Sequence, residues 1–80
     1  MTNPKIRKAI LDLLDERGEG KTICPSEVTR ALAPTAWRKL MADVRKEARE
    51  MARVGEIIVT QKKKMLDPNA VWKGPIRFGL

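Results

Sequence analysis

Apolar positions along the chain change their period twice, and those changes outline the elements. Over residues 4–17, Ile6, Ile10, Leu13, Leu14 and Arg17 fall on one helical face, with the aliphatic stem of Arg17 at its margin. Asn3 is placed to cap this helix, and Pro4 suits its first turn because the missing N–H would be unpaired there anyway. Gly18 and Gly20 end it. Residues 22–24 form a short extended piece, and Pro25 opens a second helix over residues 25–33. Its buried face is Val28, Ala31 and Leu32, and Glu27 opposes the positive end of its dipole. Pro34 stops that helix, and Thr35 is a candidate cap for a third over residues 36–54, ended by Gly55.

Beyond Gly55 the period shortens. Residues 56–61 are rich in β-branched side chains and predict a strand. Residues 62–74 are polar, carry the turn signal Asp67-Pro68-Asn69, and predict a wing loop. Residues 75–79 alternate apolar and polar, as an edge strand does. The order α, short β, α, α, β, loop, β predicts a mainly α, α+β domain over residues 1–80. It is the winged helix-turn-helix layout, with three helices and a small antiparallel hairpin as wing.

The third helix divides into three chemically distinct stripes. Trp37, Leu40, Met41, Val44, Ala48 and Met51 occupy an arc of about 100°, the spacing of core residues. Arg38, Lys39, Arg45, Lys46, Arg49 and Arg53 occupy a second arc of about 120°, with small Ala42 at its centre and no acid within it. Asp43, Glu47 and Glu50 lie between the two. A helix kept merely soluble mixes signs along each face, because i,i+4 pairs support it, so the unmixed basic stripe predicts a surface for a polyanion. A second basic group follows on the wing, where Lys62, Lys63 and Lys64 are consecutive and Lys73 and Arg77 lie on the return side. Lysine also blocks edge-to-edge pairing of strands, which accounts for one or two of these more readily than for three in a row. Trp72 has two readings: a cover for the hairpin against the core, or an exposed ring for stacking on a base.

Charge sharpens this picture. The net charge is +7, yet residues 1–29 hold five basic and five acidic side chains, so the whole excess falls in residues 30–80. The single cysteine, Cys24, leaves no intramolecular disulfide, which points to a reducing, cytoplasmic setting. The opening residues hold no apolar run long enough for a signal sequence, and no stretch reaches the length of a membrane span.

Catalytic chemistry finds little support. The chain has no histidine, so the commonest general base and metal ligand are missing, Cys24 has nothing to activate it, and no spacing suggests zinc. Gly18-Glu19-Gly20-Lys21-Thr22 shares the Gly-Lys-Thr ending of a phosphate-binding loop, but Asp15 stands where its first glycine belongs and no strand precedes it. That stretch reads as a helix stop. The expectation is a binding protein with no cofactor, not an enzyme.

Several short motifs carry a family resemblance. Lys21-Thr22-Ile23-Cys24-Pro25-Ser26-Glu27-Val28 comes first, then Trp37-Arg38, Met41, Val44-Arg45, Gly55-Glu56-Ile57 and Val59-Thr60-Gln61. Asp67-Pro68 and Gly74-Pro75-Ile76-Arg77 complete the set. With these, residues 5–79 resemble a small bacterial family of uncharacterised proteins, a "domain of unknown function" family with winged-helix character. The resemblance implies that fold and a bacterial cytoplasmic origin, and it implies no activity. Lys63 or Lys64 stands where the resemblance would put a glycine in the wing.

Residues and resemblance together predict a nucleic-acid-binding winged helix, with double-stranded DNA as the expected target. Arg38, Lys39, Arg45, Lys46 and Arg49 would face the major groove, Arg53 a phosphate, and Lys62, Lys63 and Lys64 the flanking backbone. Specificity from one such helix is modest, so a homodimer or protein partner is the expected supplement. The rival reading is a protein-interaction module whose basic face docks an acidic partner, and RNA is a further candidate.

Overall fold

A computed structural model describes residues 3–18 and 20–80; Glu19, inside the stretch read as a helix stop, lies outside the described residues, as do residues 1 and 2. Three helices, α1 (Pro4–Arg17), α2 (Pro25–Leu32) and α3 (Trp37–Arg53), pack against a four-stranded antiparallel sheet. The strands are β1 (Thr22–Ile23), β2 (Ile58–Gln61), β3 (Lys64–Met65) and β4 (Arg77–Gly79). The fold is α+β and mainly α, a winged helix whose wing is built more elaborately than a single loop.

Helix starts follow local chemistry. Asn3 caps α1, its side chain accepting from Ile6 N–H at 3.3 Å, with Pro4 in the first turn. Cys24, expected in β1, instead begins α2, and its N–H donates to the Glu27 carboxylate at 2.7 Å. That bond and the Arg17 guanidinium, which pairs with Glu27, tie α1 to the start of α2. α3 starts one residue later than expected. Ala36 occupies its cap position, no side chain caps it, and Thr35 does not serve. Its end is cleaner, because Gly55 takes a φ of 82° there, a value side chains resist.

The core lies between the helices and the inner face of the sheet. Ile6, Ile10 and Leu14 of α1 meet Ile23, Val28, Val44, Ala48 and Met51, with Ile57, Val59, Ile76 and Phe78 from the C-terminal half. Trp37, Leu40 and Met41 are only half-buried, so the apolar stripe of α3 enters the core through its C-terminal part. Trp72 is 7% exposed, and its indole N–H donates to the Asp67 carbonyl at 3.0 Å. Of its two readings, the cover over the core is the one that holds.

Two expectations about the sheet need correction. Residues 75–79 were expected at an edge; β4 is instead central, with Phe78 opposite Ile23 on one side and Val59 on the other. The placement comes from backbone pairing, because β4 bonds to β1 on one side and β2 on the other, while its buried Phe78 packs into the core between Ile23 and Val59. Residues 62–74 were expected to be loop. They contain β3, which pairs with β2 through Thr60 opposite Met65 and Gln61 opposite Lys64. Only Lys62 and Lys63 remain between the strands, at φ of 53° and 69°. Positive φ at both positions marks the two-residue hairpin turn whose twist matches the strands, normally built from Asn-Gly. Residues 66–76 then run back along α3 as a strap before entering β4.

Candidate functional site

The strap determines which cations of α3 face outward. Arg45 and Arg49 are one helical turn apart and both point at it. Arg45 donates to the carbonyls of Trp72 and Gly74, at 3.3 and 3.1 Å. Arg49 donates to those of Pro68 and Ala70, at 2.5 and 2.7 Å, and its Cζ stands 4.4 Å from the centre of the Trp72 ring. Two guanidiniums therefore hold four alternate carbonyls of the strap, a use of the planar donor fork that lysine could not copy. The donors of these two residues are turned toward the chain's own backbone.

Arg38, Lys39 and Lys46 stay exposed, with Ala42 among them. Among the described residues none of these three cations forms an ion pair. Arg53 is exposed and paired with Glu50 at 3.1 Å. The outward cationic surface of α3 is thus its first half and the side away from the strap. On the other flank it is bordered by exposed Asp43 and by Glu50.

Lys62, Lys63 and Lys64 are exposed on the hairpin and carry no ion pair among the described residues. A chain of contacts seats the hairpin beside α3. Gln61, the last residue before the turn, donates through Nε2 to the carbonyls of Lys73 and of Pro75, the latter at 3.2 Å. Gly74, between them, is the residue whose carbonyl Arg45 holds. Its φ of 77° lets the strap bend there, and a Cβ at that position would lie 3.4 Å from the Gln61 amide. The lysine turn, exposed Lys73 and the basic side of α3 are linked through two residues. Arg77 turns away from this group, donating to Thr22 Oγ1 at 2.6 Å and to its carbonyl at 3.1 Å.

Sequence reasoning missed Glu47. It sits in the acidic stripe yet is 3% exposed, accepting from the Asn3 backbone N–H at 2.8 Å, where the positive end of the α1 dipole favours a carboxylate. No periodicity marks a glutamate that answers another helix's N-terminus. Nearby Arg7 and Glu56 form an ion pair. Among the described residues no group of histidine, cysteine and carboxylate side chains is arranged to hold a metal ion, and no helix is long and apolar enough to cross a membrane. Cys24 is half-buried with its Sγ 3.1 Å from Ser26 Oγ, consistent with the structural role expected of it.

Comparison with known sequences adds a family. A family model described as "Protein of unknown function (DUF3253)" matches residues 3–80, nearly the whole chain. No curated protein matches it.

Proposed function

We propose that the chain, which belongs to the DUF3253 family, binds nucleic acid, with double-stranded DNA as its target. The observation that carries this reading is the linkage of the two basic groups. Cations from residues 38–46 and from residues 62–64, far apart in sequence, flank the same strap and lack carboxylate partners among the described residues. In this reading the first half of α3 lies in the major groove, led by Arg38, Lys39 and Lys46, with Ala42 permitting close approach. Lys62, Lys63 and Lys64 hold the adjacent backbone. Arg45 and Arg49 act indirectly: they fix the strap, and hence the hairpin, beside the helix while adding to the local positive field. Arg53, paired with Glu50, contributes least.

Binding to a duplex measured across a salt series tests the proposal. Phosphate recognition gives a steep log–log dependence on salt, and each lost phosphate contact flattens the slope by about 1. Charge reversal at Lys39 and Lys46 is expected to flatten it by about 2 without unfolding the domain. Absence of duplex binding at low salt refutes the proposal, and structured RNA winning in direct competition moves the target to RNA.

One observation favours protein docking as the second reading. Strand β3 is a sheet edge, and Met65 on it is 70% exposed, so another chain could add a strand there. Duplex binding with a steep salt dependence favours nucleic acid over this reading.

A further inference from the structure

The cationic surface continues past α3 onto α2. Trp37, the first residue of α3, is half-buried, and two guanidiniums close on its ring. The Cζ of Arg30, in the last turn of α2, is 4.6 Å from the ring centre, and that of Arg38 is 5.2 Å away. Both arginines are exposed, and among the described residues neither forms an ion pair or a side-chain hydrogen bond. A shared ring keeps the two charges within about 10 Å, one Debye length at 0.1 M salt, so they repel each other across solvent. Covering one face of an indole needs a single aliphatic stem or a single cation. The second cation–π contact offsets this weak, screened repulsion, and the pair presents two unpaired guanidiniums to an anion lying between or above them. Arg30 is easily passed over in the sequence, because a basic residue in the last turn of a helix is already explained by the dipole.

We propose that Arg30, Trp37 and Arg38 form a phosphate clamp for the nucleic-acid backbone at the corner between α2 and α3. The inference rests on the nucleic-acid reading and extends it to a residue outside both basic groups. Stacking on the indole fixes the orientation of each guanidinium before the partner arrives, so less freedom is lost when the forks engage phosphate oxygens. The clamp and the lysine turn would then grip the backbone on either side of the first half of α3. The indole itself makes no hydrogen bond to the phosphate; it holds the two forks and is shielded when the backbone settles over them.

The test uses the intact chain and a fluorescently labelled DNA duplex. Arg30→Gln keeps most of the stem over the ring and removes the charge; Lys5→Gln removes an equally exposed charge on α1. The clamp predicts that Arg30→Gln flattens the salt slope by about 1 and that Lys5→Gln leaves it near wild type. It also predicts that saturating duplex protects the quencher-accessible tryptophan from acrylamide, because Trp72 is buried and Trp37 supplies the accessible signal. Unchanged melting temperature in Arg30→Gln excludes a merely structural effect. If the duplex binds but Arg30→Gln behaves like Lys5→Gln, or acrylamide quenching is unaltered, the clamp is overturned and the nucleic-acid reading stands. If wild type binds no duplex at low salt, or binds polyglutamate in preference, both fall.

Discussion

The lysine turn sets backbone comfort against surface chemistry, and replacing it separates the two. Lys62 and Lys63 adopt φ of 53° and 69°, a region that crowds a Cβ against the neighbouring carbonyl at about 1–2 kcal/mol per residue. Asparagine tolerates the region better than lysine, and glycine escapes the clash but gives back about 0.5–1 kcal/mol in unfolded-chain entropy. The double replacement Lys62→Asn, Lys63→Gly therefore removes strain at two positions and is expected to stabilise the domain by about 1 kcal/mol net. For a domain of this size that corresponds to about 4–8 °C in Tm. Urea unfolding followed by circular dichroism should show a higher midpoint with an unchanged slope. Three adjacent lysines also repel one another, so Lys62→Gln, Lys63→Gln serves as the control: it removes the same charge and leaves the backbone crowded. An Asn-Gly midpoint equal to or below that of the Gln-Gln control would refute the strain argument. Under the nucleic-acid reading both variants lose duplex affinity alike, so the Asn-Gly protein becomes more stable and less able to bind.

Other outcomes follow from the strap, the core and the helix junction. Arg49→Gln removes two charge-assisted bonds to strap carbonyls and the cation over Trp72; a loss of about 2–4 kcal/mol and a red-shifted Trp72 emission are expected, with Arg49→Lys only partly restoring either. Phe78→Ala empties the centre of the sheet and should cost about 3–5 kcal/mol, read as loss of the cooperative thermal transition at ambient temperature. Glu27 illustrates a sign. Burial alone raises its pKa, but the Cys24 N–H and the Arg17 guanidinium outweigh burial and hold it below the usual value of 4.5. Its contribution is therefore present above that value and is lost as pH falls through the lower folded-state pKa. Glu27→Gln should flatten the acid limb of a stability–pH profile, by a modest amount because the group is partly exposed, and an unaltered limb would remove it from the account.

Much of this architecture can be read from residue order, and the exceptions share a cause. Periodicity locates α1, α2 and α3 to within a residue or two, because glycine and proline punctuate each end. β4 is misplaced as an edge because three residues carry too little pattern to show how many neighbours they have; pairing with the distant β1 and β2 decides that. Turn chemistry also misleads at Lys62–Lys63, where the geometry that favours Asn-Gly is occupied by lysines. On α3 the basic stripe is legible as charge but not as direction. Arg38 and Arg45 lie close together on a helical wheel, yet one faces solvent and the other a strap supplied by residues about thirty positions downstream. Glu47 shows the same blindness from the acidic side. Contacts between distant segments leave no periodic mark on either partner.

The central position of β4 has a consequence for assembly. Residues 4–61 can form all three helices while β1 and β2 stand one strand apart, each with an unpaired inner edge, until Arg77–Gly79 slides between them. The vacancy is three residues long, antiparallel on both walls and floored by apolar side chains, so the strand that fits it best is β4, from the same molecule or from a neighbour. At high concentration, slow insertion of the molecule's own strand would give time for reciprocal exchange, and the strap, anchored by two arginines, is what keeps the rightful strand nearest the gap.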